Sequence, residues 1–220
     1  MLIGLTDKIP FPDVKRATPE GLVAVGGNLS PERLLTAYRQ GIFPWYSENQ
    51  PILWWSLDPR GIIPLDGFHV GATLTKVLKR KIFEIKINTA FENVMRACAV
   101  RSDGSESGWI TKEMLLAYSE LHRLGHAHSV ESWRNGNLVG GVYGIAIGGL
   151  FAAESMFYRE SNASKIALTA LVERMKERGF TLFDCQMVTN VTKRMGAIEI
   201  SREEYLKRLN KALLHKCKFI

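Results

Sequence analysis

Cysteine is scarce in this 220-residue chain: Cys98, Cys185 and Cys217 are the only three, they lie far apart, and no CxxC pair occurs. An odd count at that spacing points to neither a disulfide framework nor a zinc knuckle, so reduced thiols are expected. Long hydrophobic runs are missing too. No stretch of about 18 apolar residues occurs, and the opening segment MLIGLTDKIPFPD lacks the basic leader, apolar centre and small-residue cleavage site of a secretion signal. The expectation is a soluble, cytoplasmic protein that makes no use of a membrane. The glycine-rich segments GLVAVGGN and LVGGVYGIAIGG contain neither GxGxxG nor GxxxxGK(S/T), which removes dinucleotide-binding and P-loop functions.

Acids are in the minority, with 22 Asp and Glu against 29 Lys and Arg and a formal net charge of +7. The excess is clustered. Lys76, Lys79, Arg80 and Lys81 form one group, and the stretch from Lys207 to Lys218 carries Lys207, Arg208, Lys211, Lys216 and Lys218 without an acid. Such patches attract a polyanion, of which nucleic acid is the commonest inside cells, although solvated helix faces have the same composition. A hydrophobic content of 46% is enough for a buried core without staples, in one ordinary domain or two small ones, and excludes disordered and collagen-like classes.

The first third is rich in Gly, Pro and Trp and has one clearly punctuated helix, with Ser30 as N-cap, Pro31 at the first position and Gly41 as the stop. Trp45, Trp54 and Trp55 fall within eleven residues around it, among short extended pieces broken by Pro44 and Pro51. A composition shift near Asp66 to Val70 divides a small domain, 1–66, from a larger one, 67–220. In the larger part, residues 72–80, 90–100, 112–124 and 162–178 read as helices. The segment 82–88 alternates as a strand with Phe83, Ile85 and Ile87 on one face. HSVESWRN, LVGGVYGIAIG and LFAAESMFY, separated by turns at Asn135-Gly136 and Gly148-Gly149, read as an antiparallel meander. A further strand at TLFDCQMV and a short helix near 190–195 complete an α+β pattern.

Period two along FDCQM places Asp184 and Gln186 on one face and Phe183, Cys185 and Met187 on the other. The same rule puts Glu154 and Met156 together on AAESMFY. A carboxylate beside a flexible hydrophobe, near a strand carrying Asp184 and Gln186, suits a pocket for an apolar side chain with an amine close by. SNASKIAL opens a helix whose free N–H groups, with Lys165 nearby, favour an anion, as any helix start does. His122, His126 and His128 have metal-like spacing, but Gly125 interrupts the helix between them and no acid lies beside them. Helix-end and strand-start roles are preferred, and neither a metal nor a cofactor is expected.

Long, ordered stretches then carry a resemblance: GLVAVGGNLSPERLLTAYRQGIFPWYSENQPILWWSLDPRG, GWIT, LHRLGHAHSVE, LVGGVYG, LFAAESMFYRESNASKIAL, FDCQMVT and MGAIEISREEYL. Together they resemble the bacterial leucyl/phenylalanyl-tRNA–protein transferase family over nearly the whole chain. The resemblance implies a small N-terminal domain joined to an acetyltransferase-like (GNAT) domain. It implies transfer of Leu or Phe, and less efficiently Met, from aminoacyl-tRNA to proteins that begin with Arg or Lys, which marks them for degradation. Asp184 and Gln186 then stand as the central polar pair and Glu154 as the substrate-site carboxylate. Val142, Met156 and Phe183 line the pocket for the transferred side chain, and Trp45 and Trp109 lie near the terminal adenosine. Strict alternation sets Phe183 opposite Asp184, in tension with that assignment. The lysine and arginine cluster at 76–81 is expected to hold the tRNA, and the enzyme to act as a monomer.

Three positions depart from the family pattern: Leu57 where Pro is common, Asn28 where Asp is common, and Val191 where His is expected. None touches the central pair. Two other classes stay open at this point. An acetyltransferase of the same fold would use acetyl-CoA, although no pyrophosphate loop for it is visible. A non-enzymatic RNA-binding module would leave Glu154, Asp184 and Gln186 without a task.

Overall fold

The computed structural model describes residues 3–6, 10–100 and 108–220. In the first third, β1 (Ile3–Leu5), β2 (Leu22–Gly26), α1 (Pro31–Arg39), β3 (Phe43–Pro44) and β4 (Leu53–Trp55) form a four-stranded sheet with the order β1-β2-β4-β3 and one helix. Ser30 caps α1 through the N–H of Arg33, Pro31 opens it, and Gly41 turns the chain away with a φ of 75°. Each of these devices follows directly from the sequence.

The rest of the chain supplies β5 (Arg60–Ile62), α2 (Ala72–Arg80), β6 (Glu84–Ile87), α3 (Phe91–Cys98), α4 (Lys112–Arg123), β7 (Ala127–Arg134), β8 (Asn137–Ile147), β9 (Leu150–Tyr158), α5 (Ala163–Glu177), β10 (Leu182–Gln186), α6 (Asn190–Arg194), β11 (Ile198–Ile200) and α7 (Arg202–Leu213). Its strands form a seven-stranded sheet in the order β11-β5-β10-β9-β8-β7-β6. Strands β7, β8 and β9 pair antiparallel in chain order, while β10 pairs parallel to β9 after the α5 crossover. This is a mixed helix-and-sheet architecture with a small N-terminal sheet region. Strand β5 precedes residue 66 in sequence yet pairs with β10 and β11 inside the larger sheet. The charged segment around Lys207, read from sequence only as a basic stretch, is helix α7 preceded by the short strand β11. The expected inward face of 82–88 is only partly covered, with Ile85 38% exposed, because β6 is the last strand of the sheet and has a partner on one side alone.

Alternation along the central strands sorts the core into two layers. Tyr143, Ile145, Leu150, Ala152 and Leu182 pack with α1, α3, α4, α7 and the aromatic residues of the first third, Trp54 and Tyr38 among them. Val142, Phe151 and Phe183 face the other way, onto Ile166, Leu171 and Met175 of α5 and onto Phe219. Gly140 has no side chain for a mechanical reason: a Cβ there would stand 2.6 Å from the Ala163 methyl, so its absence lets the start of α5 rest on β8. The start of α3 is tied down by Glu131, fully buried on β7. Its carboxylate accepts from the backbone N–H groups of Thr89 and Ala90 and from the hydroxyls of Ser129 and Thr89.

Candidate active site

Two β-bulges lie side by side where β9 meets β10. On β9, Ser155 is opposite Tyr143 while Ala153 is opposite Gly144, so Glu154 is the extra residue. On β10, Asp184 pairs with Ile62 and Gln186 with Gly61, which makes Cys185 the extra residue. Gln186 also adopts a left-handed backbone, φ 54°, rare for a residue with a side chain. Bulges re-aim side chains. Four consecutive residues, 153–156, and three of the four from 183 to 186 border one cavity as a result, which regular pleating does not permit.

That cavity holds about 240 Å³, just below the roughly 300–1,000 Å³ of typical ligand pockets, and so suits one side chain rather than a large cofactor. Val142, Met156, Phe183, Ile63 and Leu168 make it apolar, and Glu154 and Gln186 give it a polar end. The sequence expectation that Asp184 and Gln186 share a face is corrected here. Asp184 has no exposed surface and points to the opposite layer, where Arg60 Nε and Nη2 reach its two oxygens at 2.9 and 2.6 Å and Tyr205 Oη donates at 2.8 Å. The bulge and the left-handed backbone turn Gln186 back to the cavity, so that its Nε2 donates to Glu154 Oε1 at 3.3 Å. The same geometry settles the tension over Phe183, which lies opposite Asp184 and lines the cavity with Val142 and Met156. Glu154 and Met156 meet that cavity through the bulge, not through a shared strand face.

Glu154 is half-buried and surrounded by donors from distant helices. Tyr38 Oη of α1 donates to Oε1 at 2.7 Å, Tyr118 Oη of α4 stands 3.4 Å from Oε2, and the two phenol oxygens are themselves hydrogen-bonded. Burial pushes the Glu154 carboxyl up to about 7, Asp184 adds in the same direction, and Tyr38, Arg60 and Tyr118 act against it. Both tyrosines are fully buried, and burial holds their own hydroxyls protonated.

A family model described as leucyl/phenylalanyl-tRNA protein transferase matches residues 62–210, and the model of that family's N-terminal domain matches residues 27–58. The chain belongs to this family. It is accordingly an aminoacyltransferase. Proteins named leucyl/phenylalanyl-tRNA–protein transferase share its sequence over most of their length. One from Syntrophobacter fumaroxidans is 52% identical over 92% of this chain and 87% of its own. One from Pseudomonas entomophila is 49% identical over 97% and 96%. One from Nitratidesulfovibrio vulgaris (strain DP4) is 49% identical over 94% and 88%. Among solved structures, L-PGS from Bacillus licheniformis aligns with a TM-score of 0.42 at 16% identity, covering 74% of this chain and 54% of that one. A GCN5-related N-acetyltransferase from Kribbella flavida aligns at 0.40 and 12%, covering 78% and 61%.

The remaining candidates of the transferase sit outside the cavity. Trp45 is 39% exposed and meets Trp55 edge-on, and Trp109 is half-buried against the first core layer. Their segments touch, since the N–H of Glu48 donates to the carbonyl of Gly108. Lys76, Lys79, Arg80 and Lys81 are all exposed on α2 and its cap, and none of them makes an ion pair among the described residues. Lys207 and Arg208, by contrast, pair with Glu203 and Glu204 one turn earlier on α7. The histidines take separate partners: His122 stacks on Phe91, while His128 meets Asn88 and is held neutral, chiefly by burial. Leu57 and Val191, two of the departures from the family pattern, are half-buried hydrophobics packed on the two core layers. Sequence reasoning missed Arg60, Tyr205, Tyr38 and Tyr118. Arg60, Tyr38 and Tyr205 do stand inside the quoted stretches that carry the resemblance, and Tyr118 does not, but no local pattern says that the four converge.

Proposed function

We propose that this transferase moves Leu or Phe, and less efficiently Met, from aminoacyl-tRNA to the N-terminal Arg or Lys of acceptor proteins, marking them for degradation. The observation that carries the reading is the small cavity that is apolar along Val142, Met156 and Phe183 and closes on Glu154 and Gln186. An aminoacyl ester is already activated, so its side chain needs a slot and its carbonyl needs an amine held in line. Orientation of that kind is worth about 7–11 kcal/mol.

The acceptor α-amine has an ordinary pKa near 7.7–8.0, so roughly a tenth to a sixth is neutral at pH 7. A weak base suffices. Glu154, poised near neutrality at the cavity, takes a proton from the ammonium, and the freed nitrogen attacks the ester carbonyl. The new C–N bond forms as the bond from carbonyl carbon to ribose oxygen breaks, and the proton shed by nitrogen passes to that departing oxygen. Gln186 steers the reacting groups. Asp184 orients Gln186 from behind, since its oxygens are already filled by Arg60, Tyr205 and the Gln186 N–H. Trp45 and Trp109 take the terminal adenosine, and the unpaired α2 cluster takes phosphates of the tRNA body without reading sequence.

We assign residues 1–66 to a small N-terminal domain and 67–220 to an acetyltransferase-like domain; the separate family matches at 27–58 and 62–210 support a division in this region. The test is direct. Leu-tRNA labelled in the leucine is mixed with the enzyme and a peptide beginning with Arg; label moves to the peptide, and ribonuclease pretreatment abolishes the transfer. Transfer from acetyl-CoA instead, or from neither donor, removes this reading.

A further inference from the structure

We infer that Arg60, together with Tyr205, is a positioning residue of the transfer centre: it clamps Asp184, and through Asp184 it fixes the bend at Gln186 that aims the Gln186 amide at Glu154. Three distant parts of the chain meet at this guanidinium. Arg60 stands on β5 with 1% exposure, Asp184 on β10, and Tyr205 on α7. The guanidinium lies between two rings, 4.7 Å from the centroid of Phe43 and 4.6 Å from that of Tyr205. Nε and Nη2 grip the two oxygens of Asp184, and Nη1 donates to the carbonyl of Gly41 at 3.2 Å.

The hydrogen-bond inventory of Asp184 shows where this grip is transmitted. Oδ1 accepts from Arg60 Nε and from the backbone N–H of Gln186, both at 2.9 Å. Oδ2 accepts from Arg60 Nη2 and Tyr205 Oη. Four donors occupy a carboxylate that offers about four lone-pair sites, which leaves Asp184 nothing for a substrate. Its single link toward the cavity is the Gln186 N–H, at the residue whose left-handed backbone needs an external hold. Gly61, beside Arg60, makes room for that bend, because a Cβ there would stand 2.8 Å from the Met187 carbonyl carbon. The Gly41 bond extends the clamp to the end of α1, the helix whose Tyr38 holds Glu154. Glu154 and Gln186 are thus both referred to one buried cation. A flexible ammonium lacks the two-pronged fork for this arrangement.

The inference rests on the cavity being the reaction centre, and its test has an arm that does not. Tyr205→Phe keeps the ring on Arg60 and removes one bond to Asp184; Arg60→Lys removes the fork. In steady-state transfer to an Arg-peptide, each variant is expected to lose about 10- to 100-fold in kcat, the scale of a small misplacement of reacting groups, with both KM values nearly unchanged. In a Gln186→Ala background, Tyr205→Phe is expected to cost nothing further; a second loss of the same size would overturn the inference. Hydrogen exchange at the Gln186 amide reports the clamp without any substrate. It is expected to speed up in Tyr205→Phe by more than the amides of the remote strands β6 and β7 do, and an unchanged exchange rate overturns the proposal even if Arg60→Lys fails to fold or Gln186→Ala is inactive. Faster exchange in an enzyme that fails the leucine-transfer assay leaves the clamp standing and removes only the assigned reaction.

Discussion

Tyr38 and Glu154 are 116 residues apart in sequence, and the phenol donates to the carboxylate at 2.7 Å. The helix that carries Tyr38 belongs to the first third of the chain, and its cap and stop are set by Ser30, Pro31 and Gly41. A well-punctuated helix in one region therefore favours the charged form of a carboxylate in another, against the burial that raises its pKa.

The first prediction concerns the pH dependence of transfer. The charged and titratable groups around Glu154 are Tyr38 on α1, Tyr118 on α4, Asp184 on β10, Arg60 on β5 and Tyr143 on β8, and burial pushes its carboxyl up to about 7. Glu154 is charged only above that point. Single-turnover transfer should rise as pH passes through about 7, and Glu154→Gln should abolish this limb, leaving that of the acceptor amine near 7.7–8.0. Tyr38→Phe deletes a bond that favours the charged carboxylate, so the limb should move to higher pH. A limb that stays in place in both variants would mean that Glu154 does not titrate in the reaction.

Stability should carry the opposite signature. The folded protein keeps a proton on Glu154 between the ordinary value of 4.5 and about 7, whereas the unfolded chain has lost it. Stability from this group is fully present below 4.5 and is lost as pH rises through about 7. Glu154→Gln is neutral throughout, so its melting temperature relative to the unchanged protein should climb across that window and level off above it. A difference independent of pH would contradict the assignment.

Much of the fold was legible because its signals are local. Thr111 caps α4, Asn135 and Gly136 turn the β7–β8 hairpin with positive φ, and the alternation on β8 separates Val142 from Tyr143 into opposite layers. The site was legible in its members but not in its geometry. Period-two reasoning assumes an unbroken ladder, and the extra residues Glu154 and Cys185 break it at the two positions that matter. No local pattern announces a bulge on a strand paired to a distant segment. Arg60 and Tyr205 were invisible for a related reason, since their partner Asp184 is 124 and 21 residues away.

The two basic clusters should behave differently toward tRNA. Lys76, Lys79, Arg80 and Lys81 of α2 and its cap are exposed and make no ion pair among the described residues, while Lys207 and Arg208 already face Glu203 and Glu204. Replacing Lys76, Lys79, Arg80 and Lys81 by Ala should weaken tRNA binding. It should also flatten the dependence of log K on log salt, by up to about 0.7–0.9 for each phosphate that is no longer neutralised. Lys207→Ala with Arg208→Ala should change the slope far less. Filter binding at several salt concentrations separates the two, and an unchanged slope in the α2 variant would remove that cluster from the footprint.

Specificity should follow the volume of the cavity. Val142 and Phe183 are almost wholly buried and fixed in the second core layer, whereas Met156 is half-buried, flexible and shared with the wider groove beside α3. Met156 is therefore the wall that yields to a new side chain. A methylene in such a slot discriminates by only about 1–3 kcal/mol, so this pocket is expected to take several apolar side chains and to reject none of them sharply. Met156→Trp fills space without adding a polar group, and the widest side chain is the first to be excluded. Competition between Phe-tRNA and Met-tRNA should then turn toward Met, with Phe transfer falling about 10-fold or more for each 1.4 kcal/mol of lost fit. Equal loss of both would show that Met156 stands outside the path of the transferred side chain.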